Sequence, residues 1–422
     1  MCLYVIILAA GKSSRFKSST SKLLVDMAGQ RIIDYVIQAA IDLSPKCIII
    51  VQNEKIDIDL TNYADINIKC VKQINDLNGT GGALLCGLEA IDISKQSKVI
   101  ILSGDNPLIQ ACDIQNALLF SKKYDAIFAA VEAKNIQSSY GRILKNENHY
   151  SIESEIKHLA PTQYANAGWY IFDTQKLAVY AKNMSKHFDG EYHLPDCVKY
   201  FDKNYMHVIY DEAVGVNTMA EYQIAYEILQ NRFRRKAIEN GARILDMKSV
   251  HLSCKTKIAA DVTIYPNVIC KEHVVIESGA QIYSFSHLEN CKIESKASVG
   301  PFAYLRSDTH LYENSVVGAF VEVKFSSIGK NTKAKHLSYI GNAKIGKNVT
   351  VGAGTVFCNY DGKHKHDSVV KNNVLLGGNS TYVAPVTIGN NALIGAGSTI
   401  TKNVPDETMA IARSKETFKV RK

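Results

Sequence analysis

No stretch of this 422-residue chain is apolar for long enough to cross a membrane. Apolar runs such as Leu3 to Ala10 and Cys47 to Val51 fall far short of the roughly 20 residues a spanning helix needs. The first run also lacks the basic residues that precede the apolar part of a secretion signal, and Gly11-Lys12 follows it at once. A buried first strand and a cytoplasmic protein with no membrane partner are expected. Ten cysteines are present, yet no two are spaced C-x-x-C, which argues against zinc; without a secretion signal they are expected to stay reduced, several buried as small hydrophobes. No charge sign dominates: 49 Lys+Arg against 41 Asp+Glu leave a net +8. That balance suits an anionic ligand such as a phosphate, and no nucleic-acid-binding motif accompanies it. The first strand–helix loop lacks the G-x-x-x-x-G-K-[ST] of a P-loop. Gly79-Thr80-Gly81-Gly82 lacks the lysine too, and has Leu84 where a dinucleotide fingerprint would place its last glycine. Hydrophobic residues at 46% and charged residues at 21% exclude disorder and collagen-like architecture.

What is present divides the chain into two halves of different period; its length suggests two or three domains. As far as about Tyr222, short apolar runs (Val5–Leu8, Cys47–Val51, Val99–Leu102) alternate with helical patterns such as Arg31–Leu43. Continuous apolar strands alternating with helices imply an α/β fold with a parallel sheet covered on both faces. Residues Met219–Asn240 read as one long helix, stopped by Gly241. Its basic run Arg232–Lys236 reads as a solvated face near the helix C-terminus. Beyond Gly241 a six-residue period begins. Ile258, Ile264, Cys270, Ile276, Ile282 and Leu288 are followed, after a phase shift, by Ile293, Val299, Leu305, Leu311, Val317 and Val323. This is the hexapeptide signature of a parallel β-helix, in which the aliphatic residue of each repeat points inward and stacks on the next coil. The segment Asn359–Asp367 breaks the period. A loop leaving a rigid coil is a natural place for ligand chemistry.

Two places in the first half carry chemistry. The run Leu8-Ala9-Ala10-Gly11-Lys12-Ser13-Ser14-Arg15 connects the first strand to the first helix, at the sheet edge where open parallel sheets bind ligands. Gly11 lets the backbone approach a ligand, and Arg15 with Lys22 supplies fixed positive charge for phosphates. The alternative is an ordinary strand–helix turn. Asp105 comes directly after the strand Ile100–Ser103 and suits Mg2+, which takes few protein ligands and shares the phosphate oxygens of its substrate. On this ground alone a capping or turn aspartate is equally consistent.

These motifs together (L-A-A-G-K-x-x-R, Lys22, N-G-T-G-G-A, G-D-N-P-L and Y-G-R-I) resemble the sugar-1-phosphate nucleotidyltransferases. With the hexapeptide half added, the chain resembles, in colinear order from about residue 3 to 415, the bacterial bifunctional enzymes that are both N-acetylglucosamine-1-phosphate uridyltransferases and glucosamine-1-phosphate acetyltransferases. The resemblance implies a Rossmann-like nucleotidyltransferase domain over residues 1–222, a linker helix over 223–241 and a left-handed β-helix acetyltransferase domain over 242–422. It implies that the first domain joins UTP to N-acetylglucosamine 1-phosphate, with Leu8, Gly11, Gln73, Gly79 and Thr80 around the nucleotide, and Arg15 and Lys22 on the triphosphate. Gly141, Glu155 and Asn166 would grip the acetamido sugar, and Asp105 and Asn217 would hold Mg2+. Ser103 stands where the family often has tyrosine.

For the second half the resemblance implies acetyl transfer from acetyl-CoA to glucosamine 1-phosphate. His336 would be the base, since an amine must lose a proton to attack a thioester. Arg306, Lys324 and Lys365 would hold the phosphate. Tyr339, Thr350, Asn359 and Tyr360 would line the sugar, and Gly378, Ala396 and Arg413 the acetyl-CoA. Gly378 and Thr350 depart from the serine and asparagine common in the family. A homotrimer formed through the β-helix is implied, serving the assembly of peptidoglycan or lipopolysaccharide precursors. The alternative is an enzyme active only as a uridyltransferase, its β-helix a trimerisation module.

Overall fold

The computed structural model describes residues 2–11, 13–94, 96–132, 141–146, 149–153, 163–209 and 215–421. They form two compact units, Met1–Leu229 and Gln230–Lys422.

The first unit is built on a nine-stranded sheet. Its central path runs, in spatial order, through β3 (Ile68–Lys72), β2 (Cys47–Gln52), β1 (Cys2–Ala9), β4 (Ser97–Ser103), β8 (Tyr164–Asp173), β5 (Ala126–Glu132) and β9 (Asn204–Val208). The hairpin β6 (Arg142–Asn146) and β7 (His149–Glu153) joins through β8. Every pairing along the path is parallel except those of β8, which runs antiparallel to both β4 and β5. Local apolar pattern does not encode strand direction, so this insertion has no trace in the sequence. The continuous apolar strands are buried on both faces, as expected of a covered sheet. Val5, Ile7, Ile100 and Leu102 pack with Val36 and Ile37 of α1 (Ile32–Asp42) and Ile114 of α3 (Ala111–Leu118). Tyr4, Ile6, Val99 and Ile101, on the opposite pleat, pack with Leu84 of α2 (Gly79–Glu89) and Leu177 of α4 (Thr174–Ala181). Each such aliphatic side chain removed from water contributes about 1.5–3 kcal/mol.

Helix α5 covers Met219–Glu239. It starts at Thr218, whose hydroxyl accepts from Glu221 N while the Glu221 carboxylate accepts from Thr218 N, a reciprocal cap. It stops at Gly241, which adopts φ +93° as Ala242 N donates to Ala237 O. The basic run is not wholly solvated as its composition suggests. Arg234 is buried, donating to Val250 O and Asn231 Oδ1, because the first coil of the second unit covers it.

The second unit is a left-handed parallel β-helix of hexapeptide repeats. Its strands form a 17-stranded and an 8-stranded sheet, all pairings parallel. The periodic residues Ile264, Cys270, Ile276, Ile282, Leu288, Ile293, Val299, Leu305, Leu311, Val317 and Val323 are all buried in one continuous core. Residues of positive φ mark three columns of corners. Phe285, Phe302, Phe320 and Leu337 form one, Asn290, Ser307, Phe325 and Asn342 a second, and Asn314, Asn331, Asn348, Asn373 and Asn391 a third. Asparagine tolerates this left-handed conformation, and in the third column it also forms a ladder. Asn331 donates to Asn348 (3.2 Å), Asn348 to Asn373 (3.0 Å) and Asn373 to Asn391 (3.0 Å). At the N-terminal end, the buried Gln230 side chain pairs with the edge strand His251–Leu252 as a strand would: its Nε2 donates to Leu252 O (2.7 Å) and its Oε1 accepts from Leu252 N (2.9 Å). An exposed strand edge is thereby closed.

Candidate active sites

The loop after β1 lies at the carboxyl edge of the sheet, held by Asn53 Nδ2 donating to Ala10 O (3.2 Å) and Gly104 N donating to Leu8 O (2.9 Å). It forms one wall of a cleft of about 320 Å3 lined by Leu8, Gly11, Arg15, Lys22, Gln73, Gly79, Thr80, Ser103, Asp105, Glu191 and Asn217. All five expected nucleotide residues therefore meet in one place. At its floor the buried Lys22 Nζ donates to Asp105 Oδ2 (2.5 Å) and Asn217 Oδ1 (2.7 Å), and Arg15 Nη2 reaches the same Asn217 oxygen (3.1 Å). Sequence separations of 83 and 195 residues collapse to contact, because both partners are carried to the same sheet edge. A carboxylate and an amide oxygen already turned toward one cation are hard oxygen donors of the kind Mg2+ takes, so the donor set fits that ion.

Gly79 opens α2 with φ +82°, and a Cβ there would lie 2.5 Å from Tyr192 O. The segment Glu191–Leu194 docks on this loop: Tyr192 N donates to Asn78 O (2.9 Å), Gly81 N to Tyr192 O (2.7 Å) and Leu194 N to Thr80 Oγ1 (3.0 Å). Gln73 Nε2 donates to Gly79 O (2.9 Å), bracing the loop from the other side.

A second cleft of about 200 Å3 adjoins the first and shares Arg15, Ser103, Asp105 and Asn217 with it; Gly141, Asn166 and Gly168 are among its other lining residues. Asn166 N donates to Gly141 O (2.8 Å) and Asn166 Nδ2 to Tyr170 Oη (2.6 Å), whose phenol burial pushes well above its usual range. Glu155 lies outside the described residues. Ser103 Oγ donates to Gly168 O (3.0 Å), so it ties β4 to β8.

In the β-helix, Arg306 and Lys324 are in register on adjacent strands, and Tyr339 stands opposite Glu322 on the next. Arg306 donates to Glu322 Oε1 through Nε (2.9 Å) and Nη2 (2.6 Å). The period-breaking loop folds back as a hairpin in which Tyr360 pairs with Lys365. Asp361 fastens it, accepting from His364 N, His366 Nε2 and Lys363 N (2.7 Å each); these bonds hold its carboxyl far below the usual range. Asn359 Nδ2 donates to Asn342 Oδ1 (2.8 Å), tying the loop to the coil. Desolvation, with Arg306 and Lys365 nearby, pushes the Lys324 ammonium below its usual range. A phosphate would be drawn to such a cluster.

His336 stands on the other side of the Leu337 corner from Tyr339. Hydrogen bonds from Gly354 N to Leu337 O, Asn379 N to Ala353 O and Gly397 N to Gly378 O stack His336, Gly378 and Ala396 in one column of successive coils. Arg413 Nη1 donates to Ala396 O (2.8 Å). Thr350 is exposed, in register with Lys333. Within one chain the expected acetyltransfer residues thus fall into two groups, the cations with the hairpin and the histidine column.

Three carboxylates were missed by sequence reasoning. Glu191 lines the nucleotide cleft, and Glu322 holds Arg306. Neither has a sequence signal apart from its neighbours. Glu221 accepts from Asn217 N and Thr218 N (2.8 Å each), fixing the backbone of a cleft residue; its T-x-x-E spacing was legible as a capping box.

Comparison with known proteins agrees with this architecture. Residues 5–171 match the MobA-like NTP transferase domain and residues 370–402 the hexapeptide repeat of succinyl-transferase. A nucleotidyltransferase sheet followed by a hexapeptide β-helix of the acyltransferase kind defines the class, a two-domain transferase. Over 98% of its length the chain is 39% identical to the bifunctional protein GlmU of Anaplasma marginale, covering 98% of that relative. It is 36% identical to that of Thermodesulfovibrio yellowstonii (97% of this chain, 96% of the relative) and 35% to that of Wolbachia pipientis wMel (98% and 97%). The chain belongs to the bifunctional GlmU family. It is an enzyme, a sugar-1-phosphate uridylyltransferase and N-acetyltransferase.

Proposed function

We propose that the two adjoining clefts of the first unit carry out uridylyl transfer from UTP to N-acetylglucosamine 1-phosphate, and that the β-helix acetylates glucosamine 1-phosphate from acetyl-CoA. The observation that carries the first assignment is the shared wall: Arg15, Ser103, Asp105 and Asn217 border both clefts. A nucleotide in the larger and a sugar phosphate in the smaller would meet there. A phosphate oxygen of the sugar phosphate attacks the α-phosphorus of UTP, and the bond to the β-phosphate breaks, releasing pyrophosphate. Lys22 and Arg15 balance the charge that builds on the leaving group. Asp105 and Asn217 would hold Mg2+, which when bound supplies positive charge to the phosphate oxygens. Gly79, Thr80 and Gln73 shape the base pocket, while Gly141, Asn166 and Glu155 serve the acetamido sugar.

In acetyl transfer the amine nitrogen attacks the thioester carbon. His336 takes the amine proton, and the thiolate of coenzyme A leaves and is protonated. Arg306, Lys324 and Lys365 hold the phosphate, with Tyr339, Thr350, Asn359 and Tyr360 around the sugar; Gly378, Ala396 and Arg413 face the acetyl-CoA. A homotrimer is supported by the exposed corner of Phe285, Phe302, Phe320 and Leu337, where rings stack at 4.9 and 5.1 Å; contiguous apolar surface of this kind marks an interface. A neighbouring subunit is expected to unite the histidine column with the cations. Among the described residues no helix is long and apolar enough to cross a membrane, and the substrates are those of the cytoplasm.

The test is two assays on one preparation: pyrophosphate release from UTP and N-acetylglucosamine 1-phosphate with Mg2+, and thiol release from acetyl-CoA with glucosamine 1-phosphate. Lys22→Ala should cut only the first, by roughly a hundredfold or more, and His336→Ala only the second, by roughly the 10²–10⁴ that general bases contribute. Wild type that releases pyrophosphate but no thiol would reduce the β-helix to a scaffold.

A further inference from the structure

Phe325 occupies a corner position with φ +47°, in a column that also holds Asn290, Ser307 and Asn342. A bulky residue loses conformational energy there that a small polar one largely keeps. The other positive-φ phenylalanines, Phe285, Phe302 and Phe320, stack on one another. Among the described residues no aromatic ring stacks on Phe325. Its ring instead lies under two cations, Lys324 Nζ at 5.4 Å and Lys365 Nζ at 5.8 Å from the centroid. One comes from the coil and the other from the hairpin that interrupts the repeat. Both distances fall within the reach of a cation–π contact. Two ammoniums over one ring repel each other, and desolvation, followed by Arg306 and Lys365, lowers the proton affinity of Lys324, so the pair needs a contact that holds it together before an anion arrives.

We propose that Phe325 is a positioning residue for the acetyl acceptor: its ring is a platform that gathers the Lys324 and Lys365 ammoniums into a preformed site for the phosphate of the amino-sugar phosphate. The proposal rests on the acetyltransfer reading above. The platform acts on the phosphate alone. It makes no contribution to the thioester or to proton removal.

The experiment compares wild type, Phe325→Leu and Phe325→Trp in the full-length protein, by steady-state kinetics and by calorimetric titration with glucosamine 1-phosphate without acetyl-CoA. Leucine keeps apolar bulk and removes the ring quadrupole, and tryptophan restores it. Phe325→Leu should raise the KM and the Kd for glucosamine 1-phosphate about three- to tenfold, with the maximal rate and the KM for acetyl-CoA within a factor of about two of wild type. Phe325→Trp should recover most of the loss. Unchanged acceptor affinity in the leucine variant, or a loss that falls on the maximal rate, would overturn the platform. Wild type that binds the sugar phosphate without turnover would remove the acetyltransfer reading, and the leucine-to-wild-type Kd ratio would still decide the platform. If wild type neither turns over nor binds, both fail.

Discussion

Lys22 is the residue around which the first site closes, and its surroundings explain why single atoms matter there. Its ammonium satisfies two oxygens that would otherwise face each other in a half-buried cleft, and an uncompensated buried charge or acceptor is costly. Gly79 shows the same sensitivity in steric form. Its positive φ and the 2.5 Å approach of Tyr192 O to a would-be Cβ leave no room for a side chain without moving the Glu191–Leu194 segment. Gly79→Ala should therefore lower kcat/KM for UTP roughly ten- to a hundredfold while thiol release from acetyl-CoA stays near wild type. Equal losses in both assays would point to general misfolding instead. The residue types of this site were legible: Arg15, Lys22 and Asp105 stand beside strands in a pattern that already suggests phosphate chemistry. Their mutual contacts were not, and neither was Glu191, which reaches the cleft only because the Glu191–Leu194 segment docks on the Gly79 loop.

At the scale of elements, the β-helix was the most legible part of the chain. A six-residue aliphatic period has one structural solution when each repeat must bury the same side chain against the next. The corners were less visible. Asparagines at irregular spacings become a ladder only when the coils stack, and Asn373 sits in its middle, accepting from Asn348 and donating to Asn391. These bonds are exposed, so Asn373→Ala should cost about 1–2 kcal/mol, partly from the bonds and partly from the left-handed backbone. Asn373→Gly, which relieves the backbone cost, should lose less. Denaturant unfolding measures both, and an alanine variant as stable as wild type would mean that the ladder contributes nothing. In the first unit the antiparallel β8 escaped the sequence. Its apolar run looks like any other buried strand, and its antiparallel pairing with β4 and β5 leaves no mark in the local apolar pattern.

At the scale of the whole molecule, the exposed aromatic corner has its consequence in assembly. Phe302 stacks between Phe285 and Phe320, and a charge there would have to be buried in any trimer formed through that edge. Phe302→Glu should shift sedimentation from trimer to monomer. It should reduce acetyl transfer more than about tenfold, since His336 and the Arg306–Lys324–Lys365 group lie on different faces of one chain. Uridylyl transfer, whose residues all come from one unit, should stay within a factor of about two. A monomer with full acetyl transfer would show that a single chain suffices.

The sequence by itself determined the two-part architecture, the β-helix core residues, and the types of side chain available for phosphate and acyl chemistry. These are consequences of local periodicity and of residue chemistry, which survive without knowledge of neighbours. Only the tertiary structure decided that Lys22, Asp105 and Asn217 share one point, that two clefts meet at a common wall, that Gln230 closes the strand edge, and that the expected acetyltransfer residues divide between two faces. Each of those depends on chain segments far apart in sequence being brought to the same edge by sheet order or coil stacking. That closure is specified by the packing of the whole core rather than by any segment of it.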